Sequence, residues 1–375
     1  MSGAFDVIII GAGIVGAGIA ARLGSTHKVA LVEAEEQAGY HTTGRSAAIW
    51  VHNYGPPDVR VLTGLSRDFF KNPPEDIGTA RLAVDRAVLY LAPPDQGGAL
   101  DALIAQKLGI HEISLAEAKA KVPALIEGYA TRAGFEPDAF DMDVAGLHQF
   151  FLRRARQGGG EMLLRNRAGR IERKGDVWEV ETSGGLVITA PLVVNAAGAW
   201  GDEVARLAGL APLGLVPCRR TAAIIDPAPH DVEHWPMVQS AVHDWYVRTE
   251  ARTKLMVTPC DETPDTPHDV QPDELDVANG IDRMQQALAI GVQRVAHSWA
   301  GLRTFTPDRS LAFGWDDATS GFFWCVGQGG YGIQTAPAAS ALAAAMIRGD
   351  DPGPAGAVIP AIDPMRFRRS GGSRR

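Results

Sequence analysis

The chain has 375 residues, of which 46% are hydrophobic and 21% are charged, a composition ordinary for a globular enzyme with room for about two domains. Its net charge of −8 gives no electrostatic reason to expect binding to nucleic acid or to an anionic membrane. The three cysteines, Cys218, Cys260 and Cys325, are odd in number and far apart, which argues against a disulfide framework and against a structural zinc site. We therefore expect a cytoplasmic protein without a metal centre.

The first 33 residues carry a dinucleotide-binding pattern. An apolar run at residues 6–10 leads into Gly11-Ala12-Gly13-Ile14-Val15-Gly16, a helix-compatible stretch follows, and a second apolar run at residues 29–32 ends on Glu33. The first glycine permits a tight turn, the second lets the backbone approach a pyrophosphate, and the third lets the helix pack against the sheet. The helix N-terminus offers free N–H groups to phosphates. Glu33 is placed to accept hydrogen bonds from a ribose and would repel the 2′-phosphate of NADP.

An alternative interpretation of this segment is a secretory signal or a membrane anchor, because residues 7–21 are continuously apolar or Gly. No Lys or Arg precedes the run, and it is too short and too rich in Gly to make a good spanning helix. We therefore expect neither a signal peptide nor an integral membrane segment.

The later predicted elements alternate between nucleotide-domain strands and other material, without an internal repeat. In chain order they are a small-residue polar segment at 41–48 that could begin a helix, a strand at 82–91, helices at 95–108, 115–122 and 147–157, two or three strands within 161–181, a strand at 192–198, a helix at 202–207, antiparallel strands within 219–257, an exposed loop at 259–272, a strand at 320–326 and an Ala-rich helix at 335–347. This order predicts a nucleotide-binding domain that a second domain interrupts twice.

Four further segments, taken with the N-terminal pattern, resemble a known family. They are residues 39–48 (GYHTTGRSAA), 195–200 (NAAGAW), 299–303 (WAGLR) and 328–334 (QGGYGIQ). The chain resembles the FAD-dependent D-amino acid oxidase and dehydrogenase superfamily almost from end to end. Within that superfamily it is most similar to the D-arginine dehydrogenases, which are broad-specificity D-amino acid dehydrogenases.

The resemblance implies an α/β fold in which a Rossmann-type FAD-binding domain is interrupted by an α+β substrate-binding domain with an antiparallel sheet. The implied segments are 1–80, 145–215 and 300–365 for the FAD-binding domain, 81–144 and 216–299 for the substrate-binding domain, and 366–375 for a disordered tail. FAD is the implied cofactor, and we expect it to be non-covalent because neither Cys325 nor the histidines give a clear attachment signal. The implied partners are a small amino acid substrate and an electron acceptor, which is a quinone, a dye-like molecule or dioxygen.

The reaction implied by the resemblance is oxidative deamination of a D-amino acid. Hydride passes from Cα to flavin N5, and the imine is then hydrolysed to a 2-oxo acid and ammonia. A carboxylate clamp favours arginine, whose planar guanidinium makes two parallel charge-assisted hydrogen bonds. The resemblance assigns this clamp to Arg220 and Arg303, although the adjacent Arg219 could be the residue that faces inward. The other residues it places at the reacting centre are Tyr54, Tyr246, Gly330 (whose carbonyl lies near the substrate amine) and Gln334.

The residues expected to hold FAD lie in the glycine turns, in the segment after Gly39 and before the C-terminal helix. The full set is Gly11, Gly13, Ile14, Val15, Gly16, Glu33, Ala34, Thr43, Gly44, Arg45, Ser46, Ala47, Ala197, Gly198, Trp200, Gly329, Gly330, Tyr331, Gly332, Ile333 and Gln334. The C-terminal helix would direct the positive end of its dipole at flavin C2=O, where it favours the anionic reduced flavin.

The chain departs from the D-arginine dehydrogenase pattern in the substrate side-chain pocket. A histidine near the substrate amine corresponds to Ile49, a threonine to Val51, and the acid that binds a guanidinium to Val88. His52 is close by, but an odd shift in an irregular loop gives no reason to count it as a replacement. We expect an apolar wall that favours Leu, Met, Phe or Val side chains, formed by Ile49, Val51, Val88, Met237 and Trp50, with Gln239 as a polar exception.

Three other functions remain open on the sequence. An arginine clamp does not reveal chirality, so the substrate could be an L-amino acid or a secondary amine. The same clamp would serve a 2-hydroxy acid without an amine site. A flavin-binding protein without turnover is a third alternative, which flavin bleaching by substrate would exclude.

Overall fold

The computed structural model of the chain describes residues 2–78 and 81–369. Its strands are β1 (Ser2–Ala4), β2 (Val7–Ile10), β3 (Val29–Val32), β4 (Ile49–Trp50), β5 (Ala83–Asp85), β6 (Val88–Ala92), β7 (His111–Ile113), β8 (Arg132–Glu136), β9 (Phe140–Met142), β10 (Glu161–Leu163), β11 (Ala168–Lys174), β12 (Val177–Thr182), β13 (Val187–Ala190), β14 (Leu192–Asn195), β15 (Val216–Ile225), β16 (Met237–Ser240), β17 (Tyr246–Glu250), β18 (Lys254–Thr258), β19 (Thr263–Pro264), β20 (Val295–Phe305), β21 (Ala312–Trp315) and β22 (Phe322–Val326).

The α-helices of the described residues are α1 (Ile14–Leu23), α2 (Pro57–Lys71), α3 (Gly97–Ala105), α4 (Leu115–Lys121), α5 (Val144–Gln157), α6 (Gly201–Leu207), α7 (Glu274–Ala287), α8 (Gly332–Arg348), α9 (Ile359–Ile362) and α10 (Arg366–Arg369). Short 3₁₀ helices occupy Glu75–Ile77, Pro94–Gln96, Gly198–Trp200 and Gly353–Val358. No helix in the described ranges is both long and apolar enough to cross a bilayer.

A six-stranded sheet forms the nucleotide-binding half, in the order β10-β3-β2-β14-β22-β21, and it is parallel except for the last pair. Its inner strands are buried on both faces, which is why they read as continuous apolar runs. Val7 and Ile9 contribute to one hydrophobic core, while Ile8 and Ile10 contribute to a second core on the other face. The first core packs against α1, α5 and α8, and the second against the sheet β1-β13-β12-β11.

A second, mostly antiparallel sheet of nine strands forms the other half. Its order is β19-β15-β18-β17-β16-β6-β8-β7, and β20 pairs with β15 outside this path. The β15–β20 ladder is long, from Val216 opposite Phe305 to Ile225 opposite Val295. The two halves alternate along the chain, as the predicted interruption of one domain by another requires.

Most of the elements predicted from the sequence occur, and three predictions need correction. The predicted strand at 82–91 is two strands, because Ala87 takes a left-handed conformation (φ 61°) between them. The segment 41–48 does not begin a helix; that helix starts at Pro57, a residue well suited to the first helical position. Part of the predicted disordered tail is ordered, since Arg366–Arg369 forms α10 and Arg366 pairs with Asp308. Residues 370–375 lie outside the described residues.

Gly16, in the first turn of α1, allows a test of how closely this helix packs against the turn at Gly11. A Cβ atom at position 16 would lie 2.0 Å from the carbonyl oxygen of Gly11, whereas one at position 98 would meet nothing within 4 Å. We expect Gly16→Ala to lower the free energy of unfolding by about 2 kcal/mol or more, since backbone must move to relieve the overlap. Gly98→Ala, within α3, should be neutral or raise it by up to about 1 kcal/mol, because Ala favours the helix.

Urea unfolding of both variants, together with the flavin content of the purified proteins, checks this prediction. A Gly16→Ala protein as stable and as yellow as the wild type would contradict it.

Candidate active site

A cleft of about 1620 Å³ lies at the carboxyl ends of β2, β3 and β14, where the six-stranded sheet meets the nine-stranded one. This is the edge at which open parallel sheets bind ligands. The cleft is lined by the N-terminus of α1, by the segment 39–47, by the turn after β14, by parts of β15 and β20 and by the N-terminus of α8. The cleft therefore brings together motifs that lie far apart in the sequence.

The end of the cleft at α1 is shaped for a nucleotide. Gly11 has φ 105°, and a Cβ atom there would lie 2.4 Å from the Ala196 carbonyl oxygen, so this close approach of β14 requires glycine. Glu33 Oε2 accepts a hydrogen bond from the Ala12 N–H (3.0 Å), and the Thr43 hydroxyl accepts one from the Ile14 N–H (3.0 Å). The helix has no side-chain cap at Gly13, which leaves its first turn facing the cleft. These features fit the pyrophosphate and ribose of FAD.

The segment 39–47 is fastened to β20 across the cleft. The Thr42 hydroxyl donates to the Leu302 carbonyl (2.7 Å), Arg45 Nη1 donates to the Ala300 carbonyl (3.2 Å), and Trp299 Nε1 donates to the Arg45 carbonyl (3.0 Å). Arg45 also forms an ion pair with Asp269. These contacts join the nucleotide-binding half to the strand that carries Arg303.

Seventeen of the 21 residues predicted to hold FAD line this cleft: Gly11, Gly13, Ile14, Val15, Glu33, Ala34, Thr43, Arg45, Ser46, Ala47, Ala197, Gly198, Trp200, Gly329, Gly330, Gly332 and Ile333. The other four lie just outside it. Gly16 and Gly44 permit close backbone packing, at Gly11 and Gly39 respectively. Tyr331 borders an outer cleft, and Gln334 borders an inner cavity.

The register of β15 against β20 places two arginines on one face of the sheet. Arg220 lies opposite Gly301, and Arg303 lies opposite Cys218, so the two side chains are diagonal neighbours on that face. Arg219 points to the other face, where its guanidinium donates to Asp276 (2.9 Å). The structure thus brings Arg220, rather than Arg219, to the cleft.

Both of these guanidiniums keep unused donors. Arg220 is 7% exposed; its Nε donates to the Asp261 carbonyl (2.7 Å) and its Nη2 to Glu262 Oε1 (3.3 Å), but its buried Nη1 has no partner among the described residues. Arg303 Nη1 donates to the Tyr54 hydroxyl (3.1 Å), its one hydrogen bond within the described ranges. Because a buried donor without an acceptor is costly, this face is suited to an anion.

The turn before α8 brings backbone against the same arginines. A Cβ atom at Gly330 would lie 2.5 Å from the Tyr54 hydroxyl and 2.8 Å from Arg303 Nη1, so a larger residue there would displace the ends of these two side chains. The Gln334 side chain is used structurally: its Nε2 donates to the Thr63 hydroxyl (2.8 Å), and its Oε1 accepts from the Val51 N–H (3.4 Å).

An inner cavity of about 900 Å³ opens beside Arg303, Gly330 and Tyr246. Four of the six predicted side-chain pocket residues line it: Ile49, Val51, Met237 and Gln239. Trp50 does not line it; its buried ring stacks on Phe140. Val88 is fully buried in the same hydrophobic cluster but is not among the lining residues. Six further residues that were not predicted also line the cavity: Leu103, Met142, Ala241, Asn53, Tyr90 and His243. No motif or periodicity marks any of these residues.

Among these lining residues, His243 has a strongly lowered pKa. It lies in the turn between β16 and β17 at φ 61°, and its ring borders both the inner cavity and the outer cleft. Burial, with the charges of Arg220 and Arg303, lowers the pKa of His243 to about 3. The ring is therefore neutral at physiological pH.

This lowered pKa predicts a pH dependence of stability. A histidine whose folded-state pKa lies below its ordinary value of 6.5 contributes stability that is present above pH 6.5 and is lost as the pH falls toward 3. The stability difference between the wild type and His243→Asn should therefore shrink by about 1.5 kcal/mol between pH 6.5 and pH 5. Urea unfolding at both pH values measures this; a constant difference would show that His243 titrates normally.

Comparisons with known proteins agree with this fold and cleft. The model of the DAO family, described as FAD dependent oxidoreductase, matches residues 6–346. L-proline dehydrogenase from P. horikoshii superposes with a TM-score of 0.85 at 22% identity, over 99% of both chains. Glycine oxidase from Geobacillus kaustophilus superposes with a TM-score of 0.82 at 21% identity, over 93% of this chain and 96% of that one.

L-α-glycerophosphate oxidase from Mycoplasma pneumoniae, solved with FAD bound, superposes with a TM-score of 0.81 at 15% identity, over 92% of this chain and 95% of that one. At these identities the superpositions establish the shared fold, whereas the family match covers most of the sequence. The chain belongs to the FAD-dependent oxidoreductase (DAO) family, and FAD is its cofactor.

Proposed function

We propose that this enzyme oxidises D-amino acids with apolar side chains to 2-oxo acids and ammonia. The observation that carries the proposal is the pair of arginines with unused donors, Arg220 and Arg303, beside an apolar cavity. A carboxylate bound by these guanidiniums satisfies the buried donors and places the rest of the substrate at the cavity mouth. Tyr54 and Tyr246 add hydroxyl donors at the same point.

The remaining residues orient the amine and exclude water. When bound, FAD would accept the hydride that leaves the substrate Cα. The carbonyl of Gly330, a residue that lines both the FAD cleft and the inner cavity, is proposed to accept a hydrogen bond from the substrate amine. The positive end of the 17-residue helix α8 stabilises negative charge at its N-terminus, where Gly332 and Ile333 line the FAD cleft.

The lining of the inner cavity supports an apolar substrate side chain. Ile49, Val51, Leu103, Met142 and Met237 supply its apolar walls. No Asp or Glu is among its described lining residues, so a Lys or Arg side chain would lose its solvation without gaining a counter-charge.

The proposed preference for D-amino acids over L-amino acids rests on the resemblance to D-amino acid dehydrogenases. The solved relatives include an L-proline dehydrogenase, a glycine oxidase and L-amino acid deaminases, which make secondary amines and L-amino acids the competing substrates. The same cleft would hold any of these carboxylates. A direct comparison of enantiomers therefore decides the matter.

We expect D-leucine and D-phenylalanine to bleach the flavin rapidly under anaerobic conditions, and D-arginine to do so much more slowly. A missing counter-charge should cost the arginine side chain about 2 kcal/mol, roughly thirtyfold in the rate at low substrate concentration. Anaerobic stopped-flow mixing with each D-amino acid and its L-enantiomer measures this without an electron acceptor. Faster reduction by L-amino acids, L-proline or 2-hydroxy acids would replace the proposed substrate class.

Substitutions in the clamp test the carboxylate contact. Arg303→Lys and Arg220→Lys keep the charge but lose the planar fork, so each should raise the KM for D-leucine about tenfold or more. Arg219→Lys is the matched control, because Arg219 is adjacent in sequence and pairs with Asp276 outside the cleft. Steady-state kinetics of the three flavin-loaded variants measures the effect. An equal change in all three would contradict the assignment of the clamp.

A further inference from the structure

A chain of polar side chains runs behind the inner cavity, through Glu136, Tyr90, Gln239 and His243. Glu136, Tyr90 and Gln239 are each at most 3% exposed. Glu136 Oε2 accepts a hydrogen bond from the Tyr90 hydroxyl (2.7 Å), and its Oε1 accepts one from the His52 N–H (3.2 Å). Gln239 lies beside Tyr90 as its register partner in the β6–β16 pair, and its Oε1 lies 2.5 Å from His243 Nδ1.

The direction of each hydrogen bond follows from the carboxylate at the end of the chain. Burial raises the pKa of Glu136, while hydrogen bonds from Tyr90, Asn53 and the His52 N–H favour its ionised form. In that form Glu136 accepts only, so the Tyr90 hydroxyl donates to it. The amide N–H of Gln239, the register partner of Tyr90, makes no hydrogen bond to another described residue and is the group that could donate to the Tyr90 oxygen. This turns the amide oxygen of Gln239 toward His243, whose Nδ1 must carry the proton. His243 Nε2 is therefore left with a free lone pair.

The surroundings of His243 place its ring beside the proposed substrate site. Its ring packs on Tyr54 and Tyr246, with centroids 5.3 Å and 5.9 Å away, and borders the inner cavity. Nε2 makes no hydrogen bond to any residue in the described part of the chain. The nearby charges are Arg220 and Arg303, the two proposed carboxylate ligands; the Asp244 carboxylate accepts from Ser240.

We propose that Glu136, Tyr90 and Gln239 hold His243 in the Nδ1-protonated tautomer, so that His243 Nε2 accepts a hydrogen bond from the amino group of the substrate. This inference rests on the proposed function. An amino acid with an apolar side chain has one donor group, its amine, once the carboxylate is bound by arginine. Nε2 is a neutral acceptor on a residue that lines this cavity, as are the Gly330 carbonyl and the unpartnered Asn53 Oδ1. His243 is thus a substrate-binding residue, and the other three act through it as positioning residues.

The tautomer is measurable without substrate. ¹⁵N spectra of histidine-labelled holoenzyme at neutral pH, with the His243 signals assigned by their loss in His243→Asn, should show a protonated Nδ1 and a bare Nε2. In Glu136→Gln the new amide can donate to Tyr90 and reverse the chain, so the protonated nitrogen should become Nε2. The surface variant Glu172→Gln is the control and should leave the signals unchanged. A protonated Nε2 in the wild type, or no change in Glu136→Gln, would overturn the positioning role.

Kinetics tests the contact with the amine. Asn tolerates the left-handed conformation of residue 243, and its amide can still donate to Gln239, but it has no acceptor at the Nε2 position. His243→Asn should raise the KM for D-leucine roughly tenfold, the size of one hydrogen bond to a charged group. The Ki of 4-methylpentanoate, which keeps the carboxylate and side chain but lacks the amine, should stay unchanged. His111→Asn, at an exposed histidine, is the control for both constants.

Equal weakening of D-leucine and 4-methylpentanoate, or no weakening of either, would show that His243 is only structural and would overturn the proposal. If wild-type flavin is reduced by no α-amino acid, the proposed function fails and the amine contact with it. The tautomer measurement then still decides whether the chain behind His243 exists, so the two failures are distinguishable.

Discussion

The register of β15 against β20 is the constraint on which the site depends. With Arg220 opposite Gly301 and Arg303 opposite Cys218, both guanidiniums stand on one face of the sheet. A slip of one residue would turn one arginine to the opposite face, where Arg219 already pairs with Asp276. The ten paired positions of this ladder make such a slip expensive, because every neighbouring side chain would change faces with it.

The two arginines also explain why the surrounding groups are arranged as they are. Burying positive charge without a full counter-charge is unfavourable, and the protein offsets it only in part, through the Asp261 carbonyl, Glu262 and the Tyr54 hydroxyl. Burial, together with the positive charges of Arg220 and Arg303, lowers the pKa of the neighbouring His243 and keeps its ring neutral. An anionic ligand completes this set of hydrogen bonds, whereas a neutral ligand leaves donors unsatisfied. The folded protein therefore keeps donors on Arg220 and Arg303 that a bound anion would satisfy.

The sequence predicted those parts of the fold whose signal is local. The glycine turn, the doubly buried strands and α1 follow from spacing and apolar runs, and the resemblance supplied Arg220, Arg303 and the segment 39–47. The helix α2 begins later in the chain than the helix expected from the segment 41–48, and α7, which follows a stretch rich in Pro and Asp, was not predicted. The chain from Glu136 to His243 could not be predicted, because its members meet only through the pairing of β6 with β8 and β16.

The attachment of the segment 39–47 to β20 has a thermodynamic consequence. Three hydrogen bonds, from Thr42, Arg45 and Trp299, tie residues that line the FAD cleft to the strand that carries Arg303. When FAD orders the segment 39–47, the attached strand β20 is ordered with it, and a substrate at Arg303 then loses less conformational freedom on binding. The same holds in the other direction. Cofactor and substrate affinity are then coupled, and the coupling is reciprocal: a carboxylate that tightens the hold on FAD is itself held more tightly, by the same factor, once FAD is present.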